Sequence, residues 1–280
     1  MTTTLRPEGD EHPWPGGGRS RRWQIRVNGR PVGGLRTTAL PRGDQWWGEI
    51  SELEVVEGRR RGRATIGALA AEEVLRGWGC SRVDVAVPAD ARAALGLARA
   101  LGYTERMRNM AKRLTAPPEL PPGLTVHRIG PSEYEEWLAE ARAGYLADLT
   151  ASGLTPAQAR AKSDADHLQV LPRREATEGV ALRQLRDAGG STVGSLWVAL
   201  RQGTGPDGGP LAWVMVVQVD EAHRRRGHGR ALMLVAEREC LAAGVHHLGL
   251  NVFSSNESAA ALYTSLGYRV TLRVLGKPLY

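Results

Sequence analysis

The chain has 280 residues, of which 42% are hydrophobic and 24% are charged. This composition is ordinary for a globular protein, and the length predicts one large domain or two ordinary ones. The formal net charge of +7 would attract nucleic acid, anionic lipid or a polyanionic cofactor. Because the sequence has no nucleic-acid-binding motif and no basic stripe interleaved with aromatic residues, specific nucleic-acid binding is not expected.

The cysteines and the apolar runs of the sequence indicate the cellular compartment in which the protein is expected. Cys80 and Cys240 are the two cysteines, and we expect both to be packing residues in a reducing cytoplasm. The opening residues lack the apolar core of a signal peptide, and no apolar run is long enough to span a membrane, so a cytoplasmic location without membrane attachment is expected. His246 and His247 have no partners at metal-ligand spacing, and no metal site is expected.

The first half of the chain is predicted to be rich in strands. Residues 1–20 are polar and glycine-rich, which predicts a flexible tail. A hairpin over residues 23–38 is predicted to turn at Asn28-Gly29, because Asn-Gly favours a type I′ turn. The next predicted elements are a strand over 46–56, an Arg/Gly loop, a helix to Trp78, a strand over 82–87, a helix over 89–101 and a strand ending at Leu114.

A linker and a second set of elements follow. Residues 115–123 contain four prolines, which predicts a semi-rigid linker. The next predicted elements are a strand over 124–129, a helix over 131–150, a helix starting near Thr155, and strands over 180–185 and 191–201. Ser132 with Glu135 is predicted to form a capping box on the first helix, and Thr155 to cap the second.

The stretch from Arg224 to Arg230 lies between a strand predicted over 211–219 and a helix predicted over 231–241. Two glycines let the backbone approach an anion, the helix N-terminus adds partial positive charge, and arginines supply charge-assisted hydrogen bonds. The loop is shorter than a Walker A loop, lacks its Gly-Lys-Ser/Thr ending, and has no Gly-x-Gly-x-x-Gly spacing. An NTPase and a dinucleotide-binding protein are therefore disfavoured.

Two motifs in this region match one known family. Arg224, Gly227 and Gly229 fit the pattern Arg/Gln-x-x-Gly-x-Gly/Ala. After a strand over 246–253, the run from Asn256 to Tyr268 fits Asn-x-x-Ala-x-x-Leu-Tyr-x-x-x-Gly-Phe/Tyr, with Ala259, Leu262, Tyr263 and Gly267 in the named positions. In this order the motifs resemble the GNAT superfamily of acetyl-CoA-dependent N-acetyltransferases. The resemblance implies an α/β (α+β) fold with a mixed, mostly antiparallel twisted sheet flanked by helices, and acetyl transfer to an amine in a direct ternary complex without a metal.

The two halves of the chain repeat each other. Gly62 and Gly227 are 165 positions apart, and so are Gly102 and Gly267. A fixed offset indicates duplication, so we expect a degenerate N-terminal GNAT-like domain over 21–114 and a catalytic one over 124–280. On this offset Ala98 replaces Tyr263 and Ala91 replaces Asn256. The first half also lacks the opening strand and helix pair, and its loop (Arg59, Gly62, Ala64) either binds a second CoA or is retained without binding one.

The resemblance assigns roles in the second half. The backbone of Val217, Gln218 and Val219 would pair with pantetheine, and the Val219 N–H would polarise the thioester carbonyl. Tyr263 is the expected general acid, because a phenol with a reference pKa of about 10 is protonated at neutral pH. Asn256 would contact the cofactor or cap its helix. The expected cofactor-binding residues are Val217, Gln218, Val219, Arg224, Arg225, Arg226, Gly227, His228, Gly229, Arg230 and Asn256.

The general base and the acceptor are left open. Many GNAT proteins have glutamate near the position of Gln218, and an amide cannot accept a proton; Glu54, at the corresponding place in the first half, keeps a carboxylate. The candidate bases are Asp220, Glu221, His223, Glu135, Glu136 and Asp148, or a chain of waters. The acceptor is a small amine, an antibiotic aminosugar or a peptide N-terminus. The alternatives are a tandem acetyltransferase resembling mycothiol synthase and a non-catalytic CoA-binding or interaction module, and a homodimer is also left open.

Overall fold

The computed structural model describes residues 3–42, 44–56, 62–151 and 155–280, apart from the side chains at 148, 151, 165, 166, 168 and 169. The chain divides into two compact units. Unit 1 consists of Met1–Arg108 and Thr271–Tyr280, and unit 2 consists of Asn109–Val270. Each unit has a sheet with helices, as the resemblance implied.

Unit 1 is built mainly from strands. Its elements are β1 (Thr3–Trp14), β2 (Gly18–Val27), β3 (Arg30–Arg42), β4 (Gln45–Val55), α1 (Arg63–Gly77), β5 (Cys80–Pro88), α2 (Arg92–Ala100), the start of β6 (Thr104–Arg113) and the end of β12 (Arg269–Pro278). Neighbouring strands run in the order β1-β2-β3-β4-β5-β12. All of these pairs are antiparallel except β4 with β5.

The prediction of a flexible tail over residues 1–20 is wrong for the described part of that segment. Strand β1 pairs with β2 from Thr3 opposite Val27 to Trp14 opposite Gly18. Gly16 and Gly17 turn the chain with φ values of 81° and 80°. An edge strand tolerates proline because one side of its backbone has no ladder to complete. The opening strand expected to be missing is therefore present as β1, and in the described part of unit 1 no helix precedes α1.

Unit 2 has the fuller set of elements. They are the end of β6, β7 (Thr125–Arg128), α3 (Pro131–Ala151), α4 (Pro156–Val170), β8 (Val180–Arg186), β9 (Thr192–Thr204), β10 (Pro210–Val219), α5 (His228–Ala242), β11 (His247–Phe253) and α6 (Glu257–Ser265). The strand order is β6-β11-β10-β9-β8-β7, with β10 and β11 parallel. Residues 115–123, the predicted linker, contain no helix or strand.

Helices cover both faces of the unit 2 sheet. Strand β9 is buried without a break from Val193 to Ala199, as expected for a strand with a helix layer on each side. On one face, α5 contributes Leu232 and Met233, which are fully buried. On the other face, α3 packs Trp137 against Trp197 of β9. The sheet is thereby fixed from both sides near the carboxyl end of β10.

Two helix starts test the capping predictions. Thr155 caps α4: its hydroxyl accepts from the Gln158 N–H, the Gln158 side chain reaches back to the Thr155 N–H, and Pro156 follows, as predicted. The capping box of Ser132 and Glu135 is wrong. Helix α3 starts at Pro131, and the Gly130 N–H donates to Glu133 Oε2 over 3.1 Å. Proline is favoured at the first helical position, which moves the cap two residues towards the N-terminus.

The repeat is followed residue by residue in the structure. Helices α1 and α5, helices α2 and α6, and strands β6 and β12 each have bounds 165 positions apart. The final strand is exchanged, however, since β12 pairs through residues 272–278 with residues 82–88 of β5 in unit 1. The compact units therefore do not coincide with the domains expected at 21–114 and 124–280. The repeat shows which segments of the sequence are equivalent, whereas the pairing of the strands determines which segments pack into one compact unit.

Candidate active site

Strand β10 leaves part of one backbone edge without a neighbouring strand. It pairs with β11 from Leu211 opposite His247 to Val214 opposite Leu250. Its pairing with β9 continues to Val219 opposite Gly194, with a register shift at Met215. Beyond Val214 the β11-facing edge is therefore open in the described strand pairings. Unpaired N–H and C=O groups of this kind can pair with an extended ligand, and the predicted residues Val217, Gln218 and Val219 lie there.

The predicted anion loop joins β10 to α5. Gly227 is the N-cap of α5 with φ 87°, a left-handed conformation that favours glycine, and no side chain caps the first turn. Arg225 and Arg226 are exposed and have no ion-pair or hydrogen-bond partner among the described residues. Gly229 lies where a Cβ would come within 3.3 Å of Leu262 Cδ2. The loop thus presents free helical N–H groups and two available guanidinium groups.

Three other predicted loop residues have identified neighbours. Arg230 Nη2 donates to Ser265 Oγ over 2.6 Å, which directs this guanidinium to α6. Arg224 Nε lies 3.4 Å from the Val219 carbonyl oxygen. The rings of His223 and His228 are 6.2 Å apart, and His228 Nδ1 is buried without a hydrogen-bond partner in the described part of the chain. An orphaned ring nitrogen next to the free turn fits a site that an anion completes.

Helix α6 holds the predicted acid. Asn256 accepts from the Ala259 N–H over 3.1 Å, so its side chain is a helix cap, one of its two expected roles. Tyr263 is 9% exposed, and burial raises the pKa of its phenol above the ordinary value. The phenol therefore stays protonated at neutral pH. No side chain in the described residues hydrogen-bonds its hydroxyl.

A charged pair that the sequence analysis missed lies beyond Tyr263. The ring of Tyr268 packs against Tyr263, and Tyr268 is 2% exposed. Burial, and secondarily the Glu237 carboxylate, raise the pKa of Tyr268. Glu237 is 3% exposed, and both of its oxygens lie within 2.8 Å of Lys112 Nζ. The offset could have identified this pair, because Glu72 and Lys277 stand 165 positions from Glu237 and Lys112.

The candidate bases are not equivalent. Glu135 forms an ion pair with Arg174, so its carboxylate is less available to act as a base. Burial, then the charges of Asp220 and Glu136, raise the pKa of Glu140, a carboxyl of α3 that the sequence analysis did not consider. Glu221 is exposed; His223 packs on His228. The side chain of Asp148 lies outside the described residues.

The first repeat has a reduced version of these features. Gly62 caps α1 in a left-handed conformation with φ 72°, and Ala64 lies in the first turn. Arg59 lies outside the described residues. Ala98 lies in α2 at the counterpart of Tyr263, and Ala91 caps this helix without a side-chain hydrogen bond. Gln218 lies opposite Ser195, one position before Val219 opposite Gly194. Glu54 and Val55 lie opposite Gly34 and Gly33 in the same way, so Glu54 is the counterpart of Gln218, as predicted.

The side chains of this region that could bind a metal do not form a metal-holding cluster in the part of the chain that the structure describes. His247 Nε2 lies 2.8 Å from Asp207 Oδ2, which ties β11 to the loop before β10. The described residues contain no group of three or more His, Cys, Asp or Glu side chains arranged to hold a metal ion. None of the described helices is both long and apolar enough to cross a membrane.

Two segments of the chain, residues 3–103 and 154–268, match the acetyltransferase (GNAT) family. The chain belongs to the GNAT family. It is a tandem GNAT acetyltransferase, with one family segment in each half. Members of this family use acetyl-CoA, and an acetyltransferase of this type requires an acceptor substrate.

The GNAT protein has named relatives and structural neighbours. It is 31% identical to a mycothiol acetyltransferase of Thermobispora bispora over 76% of this chain and 70% of the relative. It is 32% identical to one of Frankia casuarinae over 77% of this chain and 63% of that relative. A tandem GNAT protein from the clavulanic acid biosynthesis pathway, solved without AcCoA, has a TM-score of 0.55, 21% identity, and coverage of 95% of this chain and 84% of its own. A GCN5-related N-acetyltransferase from Sphaerobacter thermophilus has a TM-score of 0.59 with 20% identity over 92% of this chain and 80% of its own. These two structures bear on the fold alone.

Proposed function

We propose that the second repeat of this GNAT protein transfers the acetyl group of acetyl-CoA to the amine of a small-molecule acceptor, with Tyr263 as general acid. The observation that carries the proposal is a buried, protonated phenol on α6 in the one repeat that also has helices α3 and α4. Ala98 takes its place in the other repeat. The family assignment favours an enzyme over a non-catalytic binding module.

Cofactor binding is assigned to the open edge of β10 and to the turn before α5. The edge at Val217–Val219 can pair with an extended pantetheine arm as an added strand does. The N–H groups at Gly227 and the guanidinium groups of Arg225 and Arg226 can hold a diphosphate. The orphaned His228 Nδ1 supports the fit of an anion here. Bound acetyl-CoA would supply the activated thioester.

Groups of the protein then stabilise the developing negative charge and transfer the protons of the reaction. The Val219 N–H can donate to an oxygen that becomes negative during acyl transfer, as an oxyanion-hole donor does. The Tyr263 phenol stays protonated, because burial disfavours the phenolate. It can therefore donate its proton to the departing thiolate. Glu140, whose pKa burial and two nearby carboxylates raise, joins the candidates for taking the proton of an acceptor ammonium, directly or through water.

The acceptor class follows from charge and from the relatives. The charges of Glu136 and of Asp220, the residue after β10, both act on Glu140, and this negative field would attract an ammonium group. Because the named relatives are mycothiol acetyltransferases, a thiol-sugar amine of the mycothiol type is the second, narrower candidate. A general amine acetyltransferase would accept amines without a thiol, which separates the two candidates in one substrate panel.

The test is Tyr263→Phe in the full-length chain, assayed with acetyl-CoA and that panel. We expect kcat to fall by about 100-fold or more, since general acid catalysis contributes about 10²–10⁴-fold. The Kd for CoA, measured by calorimetry, should stay within about twofold, because the phenol is not assigned to binding. Tyr103→Phe is the control: it removes a buried tyrosine hydroxyl of the first repeat, the one that donates to Glu72, and its kcat should be unchanged. Full activity of Tyr263→Phe would remove Tyr263 from the mechanism.

A further inference from the structure

The single phenylalanine of the chain is exposed at the end of a strand. Phe253 is the last residue of β11 and is 42% exposed, whereas Val252, the residue before it, is 4% exposed. One exposed apolar side chain is common on a protein surface and needs no explanation by itself. The surroundings of Phe253 therefore decide what its ring does.

The direction of the Phe253 side chain follows from the alternation of β11. Leu248, Leu250 and Val252 are buried in the core that α5 covers, and successive side chains of a strand point to opposite faces of the sheet. Phe253 therefore points to the other face. This is the face on which α3 packs against the sheet.

Phe253 also lies beyond the paired part of its strand. The pairing of β10 with β11 ends at Val214 opposite Leu250, so Phe253 stands three residues past the last paired position. The open edge of β10 over Val217–Val219 lies on the other side of the same gap. Phe253 therefore borders the cleft in which the proposed function places the thioester.

The proposed acid and the carboxyl groups of the acceptor side belong to opposite faces of the sheet. Tyr263 is buried in the core on the α5 face. On the α3 face, burial and then the charge of Asp220, the residue after β10, raise the pKa of Glu140. Because the acid occupies one face, an acceptor amine approaches the thioester from the other face, to which Phe253 points.

The first repeat lacks both parts of this arrangement. Its residue 165 positions before Phe253 is Pro88, and in the described part of unit 1 no helix precedes α1. The left-handed glycine of the anion turn is kept, however, as Gly62. The aromatic ring thus accompanies the helices of the acceptor side and not the turn assigned to the cofactor.

We propose that Phe253 is a specificity residue of the acceptor site, whose ring covers the flat face of a ring that carries the acceptor amine. An aromatic ring buries more apolar area against another ring than against an open chain. The carboxylates of Glu140 and Asp220 attract the ammonium of the same acceptor, so charge and apolar contact select it together. This role rests on the proposed function, in which the second repeat acetylates an amine.

The test compares acetylation of glucosamine with that of glucosaminitol, which carries the same amine on an open chain. In the wild type, kcat/KM should be about tenfold higher for glucosamine, since covering an aromatic side chain contributes at least this much. Phe253→Ser should remove most of this preference while KM for acetyl-CoA stays within about twofold, and Phe253→Trp should keep the preference. Leu69→Ser is the control, because Leu69 is 45% exposed on α1 and its loss should leave the preference unchanged.

Three outcomes would overturn the inference. They are equal kcat/KM values for the two probes in the wild type, acetylation of neither probe, and a Phe253→Ser protein that is folded and keeps the preference. If Phe253→Ser does not fold, Phe253→Leu replaces it, and an unchanged preference there also counts against the inference. Tyr263→Phe separates the two proposals. Wild-type kcat in Tyr263→Phe ends the proposed function, whereas a loss there with an unchanged preference in Phe253→Ser ends only this inference.

Discussion

The Tyr268 N–H donates to the Tyr263 carbonyl oxygen over 3.0 Å, and the rings of the same two residues pack edge-on. The Gly267 N–H donates to the Thr264 carbonyl oxygen over 3.0 Å, which completes a Schellman motif at the end of α6. Both bonds require the left-handed conformation of Gly267, with φ 89°. The backbone and the ring contact together fix the direction of Tyr263.

Gly267→Ala should therefore impair catalysis more than stability alone explains. A Cβ at positive φ costs about 1 kcal/mol, which should lower Tm by about 2–4 °C in a chain of this size. Gly102→Ala is the matched control, because Gly102 has φ 84° and ends α2 in the same motif beside Ala98. We expect similar Tm losses in both variants and a reduced kcat in Gly267→Ala only. Equal kcat values would show that the motif does not orient Tyr263.

The value of kcat should not fall at moderately alkaline pH. Burial raises the pKa of Tyr263 above its ordinary value, so the proton-donating form persists to higher pH than it would for an exposed phenol. We expect no loss of kcat with an apparent pKa below about 10, the reference value for tyrosine. Saturating assays between pH 7 and 9.5 measure this. A decline with a midpoint near pH 8.5, absent from Tyr263→Phe, would contradict the assignment.

The thiols should be inert in the native protein. Burial raises the pKa of Cys80 to about 11 and that of Cys240 to about 12, against about 8.5 for a free thiol. Because the folded-state values are raised, the thiols stabilise the fold below pH 8.5, and this contribution is lost as pH rises towards the folded values. At pH 8 a disulfide reagent should react with neither cysteine until denaturant is added. Rapid reaction of the native protein would contradict this burial.

The last ten residues should be required for unit 1. Strand β12 pairs with β5 through residues 272–278, and Leu275 and Leu279 are buried in the unit 1 core. Ending the chain at Val270 also removes Lys277 and leaves Glu72 unpaired. We expect loss of cooperative unfolding or insolubility of this variant. Removal of Tyr280 alone, which is 96% exposed, is the control and should leave Tm unchanged; a 1–270 chain with wild-type Tm would contradict the exchange.

Local features of the fold could be predicted from the sequence. The Asn28-Gly29 turn, the cap at Thr155 and the glycines at 227 and 267 act through conformations of a few neighbouring residues. The fixed offset predicted the repeat, which the helix bounds follow residue by residue. In these places local preference and tertiary structure agree, so pattern and propensity were sufficient.

Features that depend on distant partners could not be predicted in the same way. The composition of residues 3–14 indicates polarity, whereas their structure depends on pairing with β2. The periodicity of β12 gives no information about its partner, because strand pairing is non-local. Lys112 meets Glu237 across 125 positions of sequence. Glu140 was missed because the main causes of its raised pKa, burial and the charge of the sequence-distant Asp220, depend on tertiary structure.

The most direct test is an experimental structure of the protein with CoA bound. We predict the diphosphate at the Gly227 turn, within about 3 Å of backbone N–H groups. The sulfur should lie within about 4 Å of the Tyr263 hydroxyl, at the open edge of β10. A diphosphate bound away from the Gly227 turn, or a Tyr263 hydroxyl pointing away from the sulfur, would contradict the assignment of acetyl transfer to the second repeat.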